Sequence, residues 1–162
     1  MNTNEKSLYF DPDIPLEQQI VFLRQSSISF QLNTFQVLKE KLGDEGIEIF
    51  KTILRVGTRQ GIDGIKGKSF QELKKMAGVP DRILGLHVKQ NETGTDELQY
   101  TITHCPYLEE SKRRGMEIDF CNILEEVQIE EINKDLAEIT EPERMCWGDD
   151  KCTVKMRNIF GL

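Results

Sequence analysis

An α+β domain is what this chain predicts: an antiparallel sheet built from two hairpins, packed with an N-terminal helical segment and two central helices. Apolar residues recur at helical spacing from Leu16 to Val56. Four later stretches, 82–90, 97–104, 138–146 and 152–159, read as strands grouped around turn signals. Helices alternate with hairpins along the chain, and no internal repeat interrupts that order.

A length of 162 residues fits one domain with a sizeable core and no need of disulfides. Residues 1–14 are polar, with Asp11-Pro12-Asp13 breaking any helix, and predict a flexible arm ahead of a single domain over 15–162. With 38% hydrophobic and 30% charged residues and a mean hydropathy of −0.47, the composition is that of a soluble protein. The net charge of −7 argues against a nucleic-acid partner, because phosphate binding needs a basic surface. Lys66-Gly67-Lys68 and Lys112-Arg113-Arg114 are short basic runs that solvated helix ends explain. No apolar stretch approaches the length of a bilayer span, and the N-terminus lacks a secretory signal. No membrane partner and a cytoplasmic location are therefore expected, with thiols free or metal-bound.

Pro15 is placed to open the first helix, with Leu16, Ile20, Leu23, Ile28, Leu32, Phe35 and Leu38 as its apolar positions and Gly43 as its end. A second helix from about Glu45 carries Ile49, Phe50, Ile53, Leu54 and Val56 as its apolar stripe. It runs into Gly57, Gly61, Gly64 and Gly67. Gly67-Lys68-Ser69 supplies the end of a phosphate-loop pattern, but the first glycine of that pattern would fall at Ile62, after a helix instead of a strand. That rejects a nucleotide site and leaves close packing of a helix end as the better account. Ser69 and Glu72 form a capping box for a helix over 70–77, closed by Gly78 and Pro80. The strands 82–90 and 97–104 then make a hairpin around 91–95. Pro106 opens a short helix to Gly115, and a longer helix covers 117–136. A second hairpin, 138–146 with 152–159, closes the chain.

All four cysteines, Cys105, Cys121, Cys146 and Cys152, fall between residues 105 and 152. A thiolate is both a nucleophile and a soft metal ligand, so their grouping points to a site. Cys105 precedes Pro106 at a helix start, where amide dipoles are expected to lower its pKa and make it the reactive thiolate. Cys121 lies on or beside the buried stripe of its helix. In the last hairpin, a two-residue loop at Asp149-Asp150 pairs Trp147 with Cys152 and Met145 with Val154. This register buries Cys152, turns Cys146 to the polar side and sets Glu143 inward beside Met156. His104 gains interest from adjoining Cys105, and Asp149 is a secondary candidate for an acid near Cys152, although both aspartates serve simply as turn residues.

Cys105-Pro106-Tyr107-Leu108-Glu109, Cys121 and Gly148-Asp149-Asp150-Lys151-Cys152 together resemble the L-2-amino-thiazoline-4-carboxylic acid hydrolase family. The resemblance covers roughly the last 60 residues, and Thr153-Val154-Lys155-Met156 departs from it where an aromatic and a basic residue are common. It implies a hydrolase acting on a small cyclic amidine or thiazoline carboxylate. In one form the Cys105 thiolate attacks, with His104 or Asp149 as acid. In another, Cys105, Cys121 and Cys152 hold zinc that activates water, although three thiolates would make such a zinc a weak acidifier. The same layout is similar to the 4-vinyl-reductase domain family, which implies a small-molecule sensor or carrier with structural zinc on Cys121, Glu143, Cys146 and Cys152. A homodimer is expected from that second resemblance alone.

Overall fold

The computed structural model describes residues 13–92 and 94–161. Most of the expected arm, residues 1–12, lies outside the described residues, as does Thr93 of the expected turn. Helices α1 (Leu16–Leu42) and α2 (Asp44–Asp63) form an antiparallel hairpin about Gly43. Short helices α3 (Phe70–Met76) and α4 (Val79–Ile83) lead into strands β1 (Val88–Glu92) and β2 (Glu97–Ile102). Helices α5 (Pro106–Arg113) and α6 (Glu117–Asp135) follow, then β3 (Glu138–Glu143), a 3-10 turn (Met145–Trp147) and β4 (Cys152–Arg157).

The strands form one antiparallel sheet in the order β1-β2-β4-β3, so the two hairpins join through β2 and β4. This is the α+β architecture the sequence predicts. One core cluster, Phe70, Leu73, Leu98, Leu136, Ala137, Ile139, Val154 and Met156, lies on the inner sheet face. The other, Ile28, Leu32, Phe35, Phe50, Tyr107, Phe120 and Ile123, binds the long helices to α5. Its phenylalanine rings pack edge-on and tilted, with the Phe35 and Phe50 centroids 5.3 Å apart. Helix α6 contacts α2 on one side and β3 on the other, and so joins the two clusters.

The capping box forms as expected: Ser69 Oγ accepts from the Glu72 amide while the Glu72 carboxylate accepts from the Ser69 amide. Helix α3 ends at Met76 ahead of Gly78, as expected. Three expectations are corrected. Pro80, in the first turn, suits the start of α4, a helix where a strand is expected from residue 82. The expected strand 82–90 therefore begins only at Val88. Ile49, Ile53 and Val56 are exposed instead of forming the inner stripe of α2, which turns Phe50 inward and leaves Leu54 half-buried. Nothing but its own helix backbone lies near a Cβ at Gly57, Gly61 or Gly64, so close packing does not explain those glycines. The close approach is at Gly46, where a Cβ would overlap the Leu38 carbonyl of α1.

The last hairpin also departs from its expected register. Ile139 pairs with Met156 and Thr140 with Lys155, but Glu143 pairs with Thr153. Three steps along β3 match two along β4, so a bulge at Glu141-Pro142 reverses which side chains face inward. Pro142 has no amide to give to the ladder, which favours a bulge there. Residues 145–147 then wind into the 3-10 turn instead of continuing the strand, ended by Gly148 at φ 101°.

Candidate functional site

Where α6, the inner sheet face, α4 and the 3-10 turn meet, the fold gathers thiols and carboxyls. Cys121 and Glu125 stand one turn apart on α6 and so share a face. Cys152 follows Ile102 across the β2–β4 ladder, on the face of Tyr100 and Val154. The bulge sends Glu141 inward. The 3-10 turn buries Cys146, and α4 supplies Asp81. All four cysteines are free thiols; Cys146 is buried and the others are half-buried.

The expected pairing of Trp147 with Cys152 is thus replaced. Trp147 is 56% exposed, its Nε1 donates to Asn122 Oδ1 at 2.8 Å, and the Arg144 guanidinium lies 4.6 Å from its ring centroid. Cys146, expected on the polar side, is the most buried of the thiols. Its sulfur accepts from the Cys121 thiol, which holds the Cys146 pKa down, helped by Arg144; the same bond, with burial, raises Cys121. Cys152 Sγ accepts from the Met145 amide at 3.3 Å, yet burial dominates and carries its pKa to about 12.

Cys105 does not become the thiolate its position suggests. The Tyr107 and Leu108 amides at the start of α5 pull its pKa down, but burial outweighs them and leaves it at about 11. His104 turns to Glu109, with Nδ1 3.1 Å from Oε1, and its ring lies 4.5 Å from that of His87. Asp149 Oδ2 accepts from the Arg144 amide at 2.7 Å and so ties together the two ends of the 3-10 turn. These three expected catalytic residues serve separate local contacts. Glu143, expected inward, accepts from Thr153 Oγ1 and pairs with Lys151, away from Cys121 and Cys152.

Glu125, Glu141, Asp81, Tyr100 and Arg144 are the members that sequence reasoning missed. Burial raises Glu125 well above the usual carboxylate range, and its hydrogen bond with Glu141 adds to the effect. Burial and the charge of Glu141 raise Asp81. Burial, with Asp81, Glu125 and Glu141 nearby, raises Tyr100. Arg144 Nε lies 2.9 Å from Glu141 Oε2, an ion pair without hydrogen-bond alignment. The sequence signal for Glu125 was its spacing of four from Cys121; Glu141 gave none, because the bulge alone decides its side.

The donor set is soft: three thiols gathered around Glu125, whose pKa burial and Glu141 raise. Among the described residues, no three His, Cys, Asp or Glu side chains already stand in metal-ligand geometry. No helix among those residues is long and apolar enough to cross a membrane. No protein-family model and no curated protein matches the chain.

Proposed function

We propose that this protein is a cytoplasmic small-molecule-binding domain in which zinc, held by Cys121, Cys146 and Cys152, ties the last hairpin to α6. The supporting observation is the convergence of three thiols from α6, the 3-10 turn and β4 beside the Glu125–Glu141 pair. Burial disfavours the thiolates of Cys121 and Cys152 while the Cys121 thiol favours that of Cys146, and a bound divalent cation favours all three. Thiolates are the usual donors of closed structural zinc sites. Glu125, within electrostatic reach of Cys121 and Cys152, is the carboxylate that suits the set, in place of Glu143. Zinc in this position supplies a cross-link and no chemistry.

Elemental analysis of protein purified without added metal tests this. Near-stoichiometric zinc is expected, lost in Cys121→Ala and Cys152→Ala and kept in Cys105→Ala and Glu143→Gln. Metal-free wild type sinks the proposal, as does loss of metal from Cys105→Ala.

A hydrolase acting on a thiazoline carboxylate is the second reading, favoured by Cys105 facing two helix-start amides with Glu125, whose neutral form burial favours, within electrostatic reach. In it the Cys105 sulfur adds to the electrophilic carbon and Glu125, instead of His104 or Asp149, protonates the leaving atom. Hydrolysis assays of wild type and Cys105→Ala decide it, and no turnover by folded wild type removes it. The homodimer finds support in Leu23, Phe30 and Val37 of α1 and Ile53 and Val56 of α2, which are all exposed.

A further inference from the structure

We infer that Cys121 and Cys146 are an oxidisable pair, which a peroxide converts to a disulfide joining α6 to the 3-10 turn. Helix α6 and the turn are fastened at the chain neighbours of the two cysteines, since Asn122 on α6 accepts from the Trp147 indole at 2.8 Å. The two thiols lie near enough to shift each other's pKa, Cys121 up and Cys146 down. Arg144, stacked on that indole and paired with Glu141, holds the turn from its other end. A disulfide needs its two Cβ atoms brought close in a fixed orientation, and a turn anchored on both sides of Cys146 meets that demand better than a loose loop.

The other thiols have different partners. The sulfur of Cys152 accepts the Met145 amide, and Cys105 faces the amides of Tyr107 and Leu108 on α5. Oxidation is therefore directed to one pair among the three that Cys146 could form.

The chemistry balances with a hydroperoxide as oxidant. One sulfur of the pair attacks a peroxide oxygen; the S–O bond forms, the O–O bond breaks, and the departing oxygen leaves as water with the thiol proton. The second sulfur attacks the resulting sulfenic sulfur; the S–S bond forms, the S–O bond breaks, and the second proton leaves in another water. Two thiols are oxidised and one peroxide is reduced. A dithiol reductant reverses the product, as a reducing compartment would. The inference stands on the thiol pair and not on bound metal. If the zinc proposal holds as well, the disulfide removes two of its thiol ligands.

Trypsin separates the four thiols, because cleavage after Arg114, Lys134, Arg144, Lys151 and Lys155 leaves each in its own peptide. The full chain is treated with a chelator, then with hydrogen peroxide; remaining thiols are alkylated and the peptides mapped by mass. Peptides 115–134 and 145–151 are expected to be joined in wild type, Cys105→Ser and Cys152→Ser, and to separate on reduction. A cross-link from Cys146 to Cys152 or Cys105 overturns the inference, as does oxidation to sulfinic acid with no cross-link. Because the protein is metal-free throughout, a zinc-free wild type in the earlier test leaves this result unaffected.

Discussion

Glu125 sits one helical turn beyond Cys121, and desolvation together with Glu141 favours its neutral form. Its pKa is therefore higher in the folded protein than in the unfolded chain, where a glutamate titrates near pH 4.3. Below that unfolded value the full contribution to stability is present. It is lost as pH rises toward the raised folded value, because the folded state must then hold a proton that the unfolded chain releases. Glu125→Gln keeps the shape and removes the titration. Urea midpoints measured from about pH 5 to about pH 8 should fall for wild type relative to this variant. Equal pH slopes in the two proteins would show that Glu125 is already ionised beside Arg144. Cys105 carries the related lesson that a helix start lowers a thiol pKa only while water still reaches it.

Between elements, Gly46 decides how closely α1 and α2 approach. A side chain there meets the Leu38 carbonyl, so Gly46→Ala must push the helices apart in spite of alanine's better helix propensity. A loss of about 1 to 3 kcal/mol is expected from denaturant unfolding, and a stabilised variant would contradict the close contact. Ser69→Ala removes one half of the α3 capping box and should cost about 1 kcal/mol by the same measurement. Helix α6 is fixed to α2 by Lys51 with Glu126, Arg55 with Glu130, and Arg59 with Glu131 and Asp135. These pairs are partly exposed, so they align the helices more than they stabilise them.

For the molecule as a whole, the two apolar clusters leave Phe30 72% exposed on the side of α1 away from both. If that side joins a second copy, as proposed, Phe30→Glu places a charge in the interface. Sedimentation should then show a dimer for wild type and a monomer for the variant, with unchanged circular dichroism. A monomeric wild type refutes the dimer.

The helices other than α4, both hairpins, the capping box and the gathering of thiols after residue 104 were legible in the residues themselves. Spacing of apolar side chains and turn chemistry act within a few residues, so they survive without a partner. Which thiols meet was not local. Pro142 shifts the ladder by one residue, the 3-10 turn buries Cys146, and packing of α6 on the sheet brings Glu125 to Glu141. A strand places alternate residues on opposite faces, so a single inserted residue exchanges inside for outside. For that reason the sequence determined the class of fold and the presence of a thiol cluster. Only the tertiary structure decided its membership, bringing Cys146 in, turning Glu143 out, and adding Glu125, whose neutral form burial favours, beside Glu141.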